Sequence, residues 1–138
     1  KLTTTDDKIS RLISNRKPMF FRQGVPDGYL DKSVSLSVFS TFDEAYHQFM
    51  ADLVDVCMDS LSLVIPAGDA SKVVYITGGF ARNEIFTRLL AGRLQDRKVY
   101  ISEMDNATAL GAAMAVWHKA FGDKKPITDL GLRLIKSI

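Results

Sequence analysis

The chain holds one cysteine, four prolines and one tryptophan in 138 residues, and the shortage of cysteine excludes most. A lone Cys57 can close no intrachain disulfide, so this is not a disulfide-stapled scaffold, and it fits a reducing compartment. Cys57 lies between Val56 and Met58 in an apolar stretch, where a thiol packs as a small hydrophobe rather than serving as a nucleophile. Charge of either sign is in short surplus. With 18 Lys and Arg against 16 Asp and Glu, the formal net charge is +2. No dense basic face marks a nucleic-acid partner. His47 and His118 have no Cys or His at ligand spacing, so a protein-held metal is not expected. No apolar run is long enough to span a bilayer, and no secretory signal is seen. The expected location is the cytoplasm, with no membrane partner.

What is present is ordinary globular composition, 46% hydrophobic and 25% charged, with one unusual corner. Ile76-Thr77-Gly78-Gly79-Phe80-Ala81-Arg82-Asn83 runs from an apolar strand through a glycine pair into a helix. Glycines there permit a sharp turn and leave no side chain between the backbone and a docked group. The following helix aims its unpaired N–H groups and its positive dipole end at the same place. The corner suits a nucleotide or another anion; the plainer alternative is a tight strand-to-helix turn. Its flanks repeat a pattern. Lys72–Thr77 is a β-branched and aromatic run, and Asn83–Gln95 places Ile85, Phe86, Leu89, Leu90 and Leu94 at helical spacing. A second strand is expected at Lys98–Ile101 and a second helix at Ala107–Phe121. Such a β-α-β-α unit implies parallel strands joined by a right-handed crossover.

Upstream, Phe42–Ile65 is expected to be a long helix. Thr41 and Glu44 form its capping box, Phe42, Tyr46, Phe49, Leu53, Cys57, Leu61 and Val64 share one face, and Pro66 ends it. Asp6–Ser14 predicts a short amphipathic helix through Ile9, Leu12 and Ile13. Val25-Pro26-Asp27-Gly28 predicts a turn, and Val34, Leu36 and Val38 alternate with serines as in a strand. Beyond the polar break at Asp123–Pro126, the spacing of Ile127, Leu130, Leu134 and Ile138 predicts a C-terminal helix.

The segments VVYITGGFARNEIFTRLLAGRL, KVYI and NATALGAAMAV resemble the C-terminal domain of the FGGY carbohydrate kinases, sugar kinases of the actin/hexokinase/heat-shock-70 ATPase superfamily. The resemblance implies an α/β, actin-like or ribonuclease H-like ATPase fold, with a mixed sheet flanked by helices. It divides a single domain, residues 1–138, into a less regular segment (1–40), a nucleotide-binding core (41–122) and a tail helix (123–138). Since the chain opens on Lys1 without Met and the family is several times longer, it is expected to be a C-terminal fragment of a two-domain kinase.

By the same resemblance Gly78 and Gly79 lie against the ribose and α-phosphate of ATP, and Phe80 lines the approach. Asn83 sits beside the adenine or simply caps its helix. Gly111, among Ala107, Ala109, Ala112, Ala113 and Ala115, either lets the helix approach the sheet or leaves room for the adenine ring. ATP and ADP would be the nucleotides, with Mg²⁺ delivered on the phosphates. A sugar or polyol would be held mainly by an N-terminal domain, and a homodimer is open to the parent. No catalytic base is recognisable here: Asp6, Asp7, Asp27, Asp31 and Asp43 qualify only as carboxylates, and the base belongs upstream, so the fragment alone is expected to bind rather than catalyse. The chain departs from the family pattern at Asn106 and Gln48, where Glu is usual, and in lacking the glycine-rich signature upstream. Two alternatives stand beside the kinase: a non-catalytic regulator of the same fold, and a dinucleotide-binding unit with Glu103 as the ribose carboxylate. Against the second, Thr77 and Arg82 occupy glycine positions of G-x-G-x-x-G.

Overall fold

Helix α2, Phe42–Val64, is built as its sequence predicts. In the computed structural model, which describes residues 2, 4–15, 17–21, 34–66, 68–102, 104, 106–124 and 128–136, Thr41 Oγ1 accepts from the Glu44 N–H at 3.1 Å. The Glu44 carboxylate accepts in return from the Ser40 N–H at 2.8 Å, one residue before the cap itself. The last turn closes with Ile65 N–H on Leu61 C=O, immediately before Pro66. The buried stripe differs from expectation. Met50 and Val54 are the apolar residues α2 buries fully, together with the polar His47 and Asp52. Tyr46, Phe49, Leu53, Cys57 and Leu61 pack only partly against the core, and Phe42 and Val64 at the helix ends are exposed.

The centre of the molecule is α3, Glu84–Arg93, which buries Ile85, Phe86, Thr87, Leu89, Leu90 and Ala91. Helix α1, Asp6–Ser14, crosses it. Ile9 of α1 is 0% exposed, and Ile13 lies where a Cβ on Gly92 would stand. Gly92 therefore permits the close approach of α1 to α3. Ion pairs tie the helices at the rim: Lys8–Asp43, Arg88–Asp6 and Arg93–Asp55.

Strands β1 (Val73–Ile76), β2 (Lys98–Ser102) and β3 (Leu132–Ile135) form a three-stranded mixed sheet in the order β1-β2-β3. β1 and β2 run parallel, with Val74 opposite Val99 and Ile76 opposite Ile101, as the β-α-β pattern requires. β3 pairs antiparallel with β2, placing Ile135 opposite Val99 and Arg133 opposite Ile101. Ile76, Val99, Ile101 and Ile135 enter the core with α3, while Val73, Tyr75, Leu132 and Leu134 stay exposed. Alternation along a strand accounts for that division.

Three expectations are corrected. The C-terminal segment forms strand β3 where a tail helix was expected. Leu132, Leu134 and Arg133, Ile135 alternate with a period of two, Gly131 turns the chain at φ 55°, and a strand here also pairs the edge of β2, which a helix would leave unpaired. Ile127 and Ile138 of the expected helix lie outside the described residues. Leu36–Val38 is a 3₁₀ turn rather than a strand. The Ser35 hydroxyl accepts from the Ser37 N–H at 3.4 Å, a local bond that competes with strand pairing. Helix α4, Ala107–Phe121, has its expected bounds but buries no residue. A Cβ on Gly111 would meet nothing within 4 Å, so close approach to the sheet is not what the glycine serves. The turn expected at Val25–Gly28 lies outside the described residues.

Candidate functional site

β1 leads straight into the glycine pair. Gly78 has φ 76° and ψ −158°, a region that side-chain-bearing residues avoid. Its C=O accepts from the Ala81 N–H at 3.1 Å, and Phe80 C=O accepts from the Asn83 N–H at 3.0 Å. These bonds wind Gly79–Arg82 into one 3₁₀ turn. Asn83 then caps α3: Oδ1 accepts from the Phe86 N–H at 3.1 Å. Its Nδ2 donates to the Tyr46 hydroxyl at 2.9 Å and contacts Met50 Sδ at 3.4 Å. The capping alternative for Asn83 is thereby realised, and Tyr46 of α2 holds the amide in place. Phe80 is 48% exposed, with its ring 4.7 Å from that of Phe86.

Gly79 behaves unlike Gly78. Its φ is not positive, and a Cβ there would meet nothing within 4 Å. Neither backbone conformation nor packing inside the chain calls for glycine at this position. It lies on the wall of a cleft of about 970 Å³ whose lining also takes in Tyr46, Asn83, Arg88 and Arg133 to Lys136 of the β3 segment. That volume falls within the range of small-molecule sites. Gly78, Phe80 and Gly111 are not on the lining of this cleft. Gly79 and Asn83 are thus brought together, Gly78 and Phe80 flank them in sequence, and Gly111 sits on exposed α4. Arg88, Arg133 and Lys136 were not singled out from sequence. Arg88 was hidden within a helical repeat, and the other two within a segment whose spacing reads as a helix.

The candidate carboxylates are accounted for structurally where they are described. Asp6 lines the cleft but pairs with Arg88, which also faces Glu84 at 3.7 Å. Asp7 is exposed in the first turn of α1. Asp43 pairs with Lys8, whose hydrogen bond holds its carboxyl below the usual range. Asp27, Asp31 and the alternative ribose carboxylate Glu103 lie outside the described residues. Burial pushes the Cys57 thiol up. Among the described residues no three His, Cys, Asp or Glu side chains gather as metal ligands, and no helix is long and apolar enough to cross a membrane. Asp6 and Glu84, the acidic residues of the cleft lining, both face Arg88.

Residues 33–120 match the C-terminal domain of the FGGY family of carbohydrate kinases. The chain belongs to that family. No curated protein and no solved structure matches it. The FGGY match takes in α2, β1, the glycine corner, α3, β2 and nearly all of α4, so every expected nucleotide-binding residue, Gly78, Gly79, Phe80, Asn83 and Gly111, falls inside it. The small α/β fold with a mixed sheet is consistent with this family's C-terminal domain. FGGY proteins are kinases of carbohydrates that generally use ATP and Mg²⁺. α1 and β3, which complete the core and one wall of the cleft, lie outside the matched FGGY segment.

Proposed function

We propose that this domain is the ATP-binding lobe of a carbohydrate kinase of actin-like fold that transfers the γ-phosphoryl of ATP to a sugar or polyol hydroxyl in the cytoplasm. The observation that carries the proposal is Gly79, a glycine on a cleft wall that neither its φ nor any neighbouring atom requires. A missing side chain with no internal use is accounted for by a ligand lying against the main chain.

In this proposal Gly78 shapes the turn and Gly79 offers the nucleotide an unobstructed backbone. Asn83 is held by its cap and by Tyr46, so its position is set before a nucleotide arrives. Phe80 presents an exposed ring beside the approach. Mg²⁺ arrives on the phosphates and supplies charge neutralisation there. The general base, an aspartate by family resemblance, belongs to the other lobe of the parent, and lobe closure excludes water from the transfer.

The test is ADP release by the full-length parent with ATP, Mg²⁺ and a panel of sugars and polyols. Turnover with one of them supports the kinase and names the substrate. Silence with ATP still bound favours a regulatory relative; silence without ATP binding removes the nucleotide from this site. Gly79→Val in an active parent is expected to raise KM for ATP by at least about tenfold, the effect of losing about 1.4 kcal/mol of binding, with its thermal midpoint little changed. An unchanged KM takes Gly79 out of the site.

A further inference from the structure

The hydrogen bonds around Asn83 leave one donor over, and it is not on Asn83. A backbone N–H can only donate, so the Asn83 atom that meets Phe86 N–H at 3.1 Å is the carbonyl oxygen Oδ1. That assignment turns Nδ2 toward α2. One of its hydrogens goes to the Tyr46 hydroxyl oxygen at 2.9 Å, and the other meets Met50 Sδ at 3.4 Å. A side-chain amide has no further N–H to give. Asn83, expected beside the adenine, therefore keeps no donor for a base.

Tyr46 stands in the opposite position. An amide nitrogen does not accept, so the Tyr46 oxygen accepts from it and the phenolic proton is directed elsewhere. Among the described residues nothing takes that proton. Tyr46 is half-buried and lines the cleft with Gly79 and Asn83. A tyrosine hydroxyl in such a setting normally has a partner for its proton, and a ligand in the cleft would supply one. The donor is also held in place beforehand: its partner Asn83 is fixed by the α3 cap, and the Tyr46 ring lies 6.0 Å from that of Phe42 on the same helix.

We propose that the Tyr46 hydroxyl is the specificity-determining donor of the cleft, giving its proton to a ring nitrogen of the purine whose ribose lies against Gly79. This rests on the nucleotide site proposed above and adds the side chain that reads the base. Asn83 is then a positioning residue, acting through Tyr46. Its N–H on the phenolic oxygen polarises the O–H and makes it a stronger donor, as in any chain of hydrogen bonds. The free ring nitrogens of a purine accept and cannot donate, so an O–H beside one of them favours nitrogen over the C–H of a deaza base.

The experiment measures equilibrium binding of ATP and of 1-deaza-, 3-deaza- and 7-deaza-ATP to the full-length parent, as wild type and as Tyr46→Phe. The variant keeps the ring and removes only the hydroxyl, and its thermal midpoint checks that it folds. The wild type should bind one deaza nucleotide about two- to tenfold more weakly than ATP, the worth of one neutral hydrogen bond. Tyr46→Phe should bind ATP and that analogue alike. If the variant weakens every nucleotide by the same factor, the hydroxyl only holds Asn83 and the proposal is overturned. It is overturned equally if the variant keeps the wild-type preference. Equal wild-type affinity for all these nucleotides also removes Tyr46 as the reader while leaving the nucleotide site intact. A wild type that binds no ATP removes the site itself.

Discussion

Asp52 is 1% exposed in the middle of α2, and replacing it with alanine should be among the most damaging changes in the domain. One carboxylate oxygen accepts from the N–H groups of Met19 at 2.7 Å and Phe20 at 2.6 Å. The other accepts from Gln48 Nε2 at 2.6 Å, and Gln48 also donates to Lys17 C=O at 3.0 Å. The carboxylate therefore pins the 17–20 segment to α2 and delivers Phe20 to the rings of Phe39 and Phe49, at 5.9 and 5.5 Å. Asp52→Ala strands two backbone donors, that of Phe20 in a buried setting and that of Met19 in a part-buried one, and a buried orphan costs roughly 1–3 kcal/mol. With the Gln48 bond lost and Phe20 loosened, the total is about 3–4 kcal/mol, a large share of a small domain's stability. Asp52→Asn keeps one oxygen for Met19 and Phe20 but sets an amide against the Gln48 amide, so its cost should be about 1–2 kcal/mol. Urea unfolding of both variants measures the difference, and amide exchange at Met19 and Phe20 shows whether the segment is released. A loss below about 1 kcal/mol for Asp52→Ala, or equal losses for the two variants, would refute the assignment of Asp52 as the anchor.

The two corner glycines should separate stability from binding. Gly78→Ala forces a side chain into positive φ and should cost about 1–3 kcal/mol in thermal or chemical unfolding, whereas Gly79→Ala should leave stability nearly unchanged because its Cβ meets nothing within 4 Å. Gly92→Val places a branched side chain on Ile13 and should destabilise by about 1–3 kcal/mol through overpacking of α1 on α3, seen as a lower urea midpoint. For Asp43, Lys8 holds the folded carboxyl below its usual range, so its contribution is fully present above the unfolded value of about 4. It is lost as pH falls through the lower folded value. Stability against pH for wild type and Lys8→Met should therefore run apart at neutral pH and converge in acid; parallel curves throughout would remove the pair from the acid response.

Local signals made much of the fold legible. α1 and α4 have the bounds that periodicity predicts, although Asn106 makes no side-chain cap for α4, and β1, α3 and β2 sit within a residue or two of their expected limits. Thr41, Asn83 and Pro66 act within a few residues of themselves, and such interactions survive in any tertiary setting. The glycine corner belongs to the same class: a strand, Gly78-Gly79 and a capping Asn define its backbone wherever the domain sits. Other features are settled only by distant partners. Residues 132–135 carry leucines that fit a helix or a strand, and the open edge of β2 decides for the strand. Leu36 and Val38 alternate like a strand, but among the described residues no strand edge pairs with them, and the Ser35 hydroxyl closes a turn instead. The Asp52 anchor joins residues more than thirty positions apart, and no spacing announces it. Likewise the cleft exists because β3 returns to a sheet whose first strand begins near residue 73. Sequence alone determined the family, the helices and the glycine turn, because these rest on short-range backbone and side-chain chemistry. Tertiary structure alone decided which charges meet across the cleft, because that depends on which strand edge the C-terminal segment finds.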